Sequence, residues 1–165
     1  MRVVTKLYTF VVNGAGWFGA LLLFLIAFAT VADVILRNVT GRGLRWQIDF
    51  AEYALFISTF LMAPWIMSLG AHVRVDFLVR TLPERISRHL DNFANVVGAA
   101  LCALLTWYAL SETLDSMSRG TLVLKSVVFP EWWAMVVMPF SFALLCVEFI
   151  LRFAGYRRVH ENVSV

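Results

Sequence analysis

Four long stretches of this chain carry no charged residue, and they limit the fold more than any other feature: Leu7 to Ala32 (26 residues), Tyr53 to Ala71 (19), Asn92 to Ser111 (20) and Trp132 to Val147 (16). A helix of about 20 apolar residues crosses the roughly 30 Å hydrocarbon core of a bilayer. The last stretch reaches that length once Glu131 and the segment Glu148 to Leu151 sit at its ends. Four transmembrane helices are therefore expected, over residues 10–36, 49–71, 92–114 and 131–151, and the chain reads as an all-α integral membrane protein with one membrane domain, 1–165. Hydrophobic residues make up 61% and charged residues 15%, against roughly 45–50% and about 25% in soluble domains. The remaining loops are too short to hold a separate soluble catalytic domain.

The net charge of +3 does not point to nucleic acid, because the basic residues lie at the ends of apolar segments and not in one patch. With the N-terminus in the cytoplasm, the inside carries nine of them (Arg2, Lys6, Arg74, Arg80, Arg85, Arg88, Arg152, Arg157, Arg158) and the outside five (Arg37, Arg42, Arg45, Arg119, Lys125). The positive-inside rule then places both termini in the cytoplasm. Arg2 and Lys6 precede an apolar run that passes Ala27-Phe28-Ala29, a sequence resembling a signal-peptidase site. The run is longer than a typical h-region and continues beyond that site, so it reads as an uncleaved first helix.

The polar residues narrow the chemistry. Cys102 and Cys146 fall within expected spans and read as small apolar residues, not as the exposed pairs a disulfide oxidase needs. His72, His89 and His160 lie in cytoplasmic segments, where they cannot serve as axial ligands of an intramembrane haem. The uncharged stretches hold no carboxylate for proton coupling. No cofactor is expected, and no internal repeat or phosphate-binding glycine loop is visible.

Between the second and third spans, Val75, Leu78, Val79, Leu82, Ile86 and Leu90 recur at three- and four-residue steps among Arg74, Arg80, Glu84, Arg85, Arg88 and Asp91. That pattern predicts a basic amphipathic helix over 73–91 in the cytoplasmic interface, interrupted or restarted at Pro83. Trp46, Trp132 and Trp133 fall at the expected outer boundary, where indole rings prefer the headgroups. Trp17, Trp65 and Trp107 lie deeper and are expected against other helices or lipid. Pro64 and Pro139 each free a carbonyl one turn earlier in their helices.

Asp33 with Arg37, and Glu148 with Arg152, are spaced i,i+4 with the acid first, the favourable order for an intrahelical pair. They read as interfacial pairs that ease a helix end toward lipid. Arg45 and Asp49 have the same spacing in reverse order, and Glu52 lies on the face of Asp49, one turn deeper. Glu52 has no basic residue four positions on, so its carboxylate calls for water or a donor from another chain. Arg37, Arg42 and Arg45 are expected to face the periplasm, where they can attract an acidic face of a soluble partner. Asp49 and Glu52 either pair with donors on another chain or, with the three arginines, merely position the helix end.

Val34-Ile35-Leu36-Arg37-Asn38, then Trp46, Asp49 and Tyr53, then Gly70-Ala71-His72-Val73-Arg74-Val75-Asp76 with Leu82-Pro83, resemble the small membrane subunit of tripartite ATP-independent periplasmic (TRAP) transporters, the DctQ-like family. Pro130, Trp132 and Pro139 match the family's pattern at the fourth helix, so the resemblance covers nearly the whole chain. It departs from the pattern where the family commonly has Glu (here Asp49) and often a basic residue (here Glu52), and Lys125 is unusual. The resemblance implies a companion protein and not an enzyme. Its partners are a large membrane subunit that holds the substrate and sodium sites, a periplasmic substrate-binding protein, and membrane lipids. The small subunit scaffolds the large one in uptake of a small organic acid across the bacterial inner membrane. Partner contacts are expected at Arg37, Arg42, Arg45, Trp46, Asp49, Glu52, His72, Arg74, Asp76 and Pro83. The rival expectation is a stand-alone four-helix membrane enzyme or small carrier working as a homo-oligomer.

Overall fold

The structure, a computed structural model, describes residues 2–69, 84–125 and 128–153. The chain forms helices α1 (Arg2–Thr40), α2 (Gln47–Ser68) and α3 (Glu84–Arg119), a hairpin of β1 (Leu122–Leu124) and β2 (Val128–Pro130), then α4 (Trp132–Met135) and α5 (Val137–Phe153). Four helical stretches are long and apolar enough to cross a membrane: Lys6–Thr40, Gln47–Ser68, Asn92–Arg119 and Trp132–Phe153, the last made of α4 and α5 together.

Local chemistry sets the breaks. α1 ends at Gly41, whose φ of 71° is a left-handed conformation that glycine adopts without a Cβ penalty, and Gly120 (φ 64°) does the same after α3. α4 and α5 are separated by a turn at Val136, one residue after Met135, whose carbonyl lacks the N–H that Pro139 cannot supply. Pro64 likewise leaves the Phe60 carbonyl of α2 without its usual donor, and the Ser141 hydroxyl of α5 donates to that oxygen at 2.5 Å. In hydrocarbon, where water cannot fill the gap, such a replacement donor is what makes a mid-helix proline tolerable.

Two regions differ from the sequence reading. Of the amphipathic segment, residues 73–83 lie outside the described residues, and Glu84 to Asp91 form the first turns of α3, continuous with the third span. The charges stop at Asp91, but no proline or glycine stands there to end the helix. The second is the hairpin, which lies between the third and fourth spans. Its strands pair antiparallel, with Leu122 opposite Pro130, Val123 opposite Phe129 and Leu124 opposite Val128.

The helices pack in a row: α1 on α2, α2 on α5, and α5 on α3. Close approach within the row uses glycines. A Cβ at Gly16 would fall 2.4 Å from the Trp65 ring, and one at Gly98 would fall 2.5 Å from the Phe149 ring. Trp65 is thus a packing residue, whereas Trp17 (74% exposed) and Trp107 (71%) point away from the row. The row leaves α1 and α3 at its two edges with long apolar faces uncovered by the described residues.

Candidate functional site

The corner where α1 turns into α2 gathers most of the charged residues singled out in the sequence. Asp33 is almost completely buried (5% exposed), and both of its oxygens are used. Oδ2 accepts from Arg37 Nη2 at 2.9 Å, and Oδ1 accepts from the Leu44 backbone N–H at 2.5 Å. The pair read from the i,i+4 spacing is formed, and it also fastens the loop to α1. Gly43 fits because it has no side chain, since a Cβ would come within 2.8 Å of Asp33 Oδ1 and 2.9 Å of Arg37 Nη2. One turn below, Gln47 Nε2 donates to Thr30 Oγ1 at 2.9 Å. Trp46 caps α2 without a side-chain cap bond and packs edge-on against Phe50, ring centroids 5.9 Å apart.

Glu52, whose carboxylate calls for water or a donor from another chain, also has a donor within this chain: Lys125 Nζ, from the hairpin, donates to Glu52 Oε2 at 2.6 Å. That hydrogen bond raises the Lys125 pKa above the ordinary lysine value near 10.5, with partial desolvation opposing it. Beside the pair, the Lys125 ammonium lies 5.0 Å from the centroid of the Tyr53 ring, and Tyr53 meets Phe129 edge-on at 4.9 Å. The base of the hairpin is fixed to α3, where Ser116 Oγ and Thr121 Oγ1 are 2.6 Å apart and the Glu131 N–H donates to the Thr121 carbonyl at 3.1 Å. α2, the hairpin and the top of α3 therefore form one braced end.

At the opposite end, Glu148 is fully buried (0% exposed) and accepts from Arg152 Nε at 3.3 Å. Arg152 Nη2 also donates to the Met67 carbonyl in the last turn of α2. The sequence reading took this pair as an aid for a helix end near lipid. It faces inward instead, because α5 lies against α2 and brings the guanidinium onto carbonyls that helix geometry leaves unsatisfied. Arg37, Arg42, Arg45, Trp46, Asp49 and Glu52 thus lie together at the α1–α2 end, whereas His72, Arg74, Asp76 and Pro83 lie outside the described residues. Sequence reasoning missed the roles of Gly43, Tyr53 and Phe129. Among the described residues no group of three His, Cys, Asp or Glu side chains could hold a metal ion.

A multi-pass helical membrane protein with ion-paired ends and uncharged span interiors is what this architecture defines. Residues 14–158 match the family model described as tripartite ATP-independent periplasmic transporters, DctQ component, and the chain belongs to that family. Over 131 residues, 79% of this chain and 67% of the relative, it is 24% identical to the ectoine TRAP transporter small permease protein TeaB of Halomonas elongata. No solved structure matches it. Family and helices together make it a transporter component and a multi-pass protein of the bacterial inner membrane.

Proposed function

We propose that this chain is the scaffold of its transporter: it anchors and supports a large membrane subunit during sodium-coupled uptake of a small organic acid delivered by a periplasmic binding protein. The observation that carries the reading is the outer face of α1. Phe10, Gly14, Trp17, Leu21, Phe24 and Phe28 alternate at four- and three-residue steps, and all are exposed. Such spacing is the seam of a helix that packs lengthwise on another helix. A Cβ at Gly14 would meet nothing within 4 Å, so no contact among the described residues requires its small size. Next to it, the exposed Asn13 amide finds no hydrogen-bond partner among the described residues. It lies seven residues past Lys6, about 10 Å along the helix. An amide at that depth is costly against hydrocarbon and favourable against a second polar helix.

The substrate and sodium sites belong to the large subunit in this reading, and both termini of the small one face the cytoplasm. Two experiments test it. The tagged chain, extracted with the large polytopic subunit co-expressed, should co-purify with it in a stable ratio, and recovery only as a homo-oligomer would favour the stand-alone rival. Reporter fusions after Gly41 and Gly120 should behave as periplasmic and those after Pro83 and Gly155 as cytoplasmic. A periplasmic signal after Pro83 overturns the orientation.

A further inference from the structure

The loop between α1 and α2 folds round a concavity of about 660 Å³ lined by Arg37, Arg42, Gly43, Leu44, Arg45 and Ile48. Arg37, Arg42 and Arg45 line it, and the Asp33 carboxylate is already committed, since it binds Arg37 and the Leu44 N–H with its two oxygens. The exposed Arg42 side chain has no partner among the described residues. The other wall is apolar. It is formed by Leu44 and Ile48, and Ile48, 67% exposed, lies at the start of a span-length apolar helix. Cations on the side away from the span and exposed hydrocarbon on the span side form an amphipathic pocket at headgroup level.

We propose that this concavity binds the phosphodiester headgroup of an acidic phospholipid from the leaflet that meets the α1–α2 loop. The guanidinium groups hold the phosphate, for which arginine offers a planar donor fork. An acyl chain runs along Leu44 and Ile48. A soluble protein's acidic face would use the arginines but would leave Ile48 against water, and a free anion has no use for the apolar wall. The inference needs only that the chain spans a bilayer, so it stands or falls separately from the scaffold role.

Native mass spectrometry of the full chain in detergent tests it, with phosphatidylglycerol, phosphatidylcholine and soluble glycerol 3-phosphate as probes. Phosphatidylglycerol should bind about tenfold more tightly than phosphatidylcholine, and Arg42→Ala should weaken it roughly fivefold, as expected for one basic side chain near an anionic headgroup. Arg42→Lys should retain most of the binding. Because the exposed Arg42 side chain makes no hydrogen bond or ion pair among the described residues, helix content should be unchanged in both variants. Equal binding of the two lipids, or phosphatidylglycerol binding indifferent to Arg42→Ala, overturns the proposal. Competition by glycerol 3-phosphate at equal concentration would reassign the pocket to a soluble anion. Arginine-dependent capture of the periplasmic binding protein with no lipid preference would reassign it to a protein surface. Either result also overturns the proposal.

Discussion

Lys125 and Glu52, 73 positions apart in the chain, meet in a hydrogen-bonded ion pair of 2.6 Å that ties the β-hairpin to the first turns of α2. The hairpin is held to the corner by this pair and by the Tyr53–Phe129 contact.

Removing the carboxylate should therefore loosen the hairpin and leave assembly with the large subunit intact. Lys125 is one of two lysines in the chain, so ¹³C-dimethylation and NMR can follow it directly. Its pKa is raised by Glu52, so the pair's contribution is complete below the ordinary lysine value and disappears as pH rises through the folded-state value. Glu52→Gln should shift the Lys125 titration midpoint downward, and the exchange Glu52→Lys with Lys125→Glu should restore hairpin protection from proteolysis. An unchanged midpoint in Glu52→Gln would contradict the pair, and loss of co-purification would return Glu52 to the intersubunit role.

The buried pair at the other end should behave differently. Glu148→Ala leaves the largely buried Arg152 guanidinium without its carboxylate, which costs on the order of 3–5 kcal/mol for a buried pair broken on one side. Replacing both, as Glu148→Leu with Arg152→Met, should cost less than Glu148→Ala alone. Unfolding by SDS titration measures both, and a double variant weaker than the single one would show that the pair stabilises beyond its own desolvation.

Glycines separate packing within the chain from packing against a partner. Gly16→Leu and Gly98→Leu drive side chains into the Trp65 and Phe149 rings and should destabilise the isolated chain by about 1–3 kcal/mol or more. Gly14→Leu meets nothing within the chain. It should leave the isolated chain's unfolding unchanged while lowering recovery of the large subunit several-fold. Equal effects of Gly14→Leu and Gly16→Leu on the isolated chain would remove α1's outer face from the interface.

Much of this was legible in the sequence because it is set locally. Runs of uncharged residues mark the spans wherever they lie, and the helical repeat alone brings Asp33 to Arg37 and Glu148 to Arg152. Spacing does not say which way a pair points, and the burial of Glu148 and its bridge to α2 follow from α5 packing on α2. Lys125 could not be joined to Glu52 from sequence, because the contact depends on a hairpin whose strands are three residues each. Nor could Ser141 be matched to the carbonyl freed by Pro64, which requires knowing that α5 lies beside α2. The lone Asn13 amide was visible as a letter but gained meaning only when α1's outer face proved uncovered.

The scaffold role is tested most directly by sodium-driven uptake into proteoliposomes with substrate-loaded binding protein outside. This chain alone should give no uptake, the large subunit alone should give little, and the two together should restore transport. Robust uptake by this chain without the large subunit, or full uptake by the large subunit without this chain, would contradict the account.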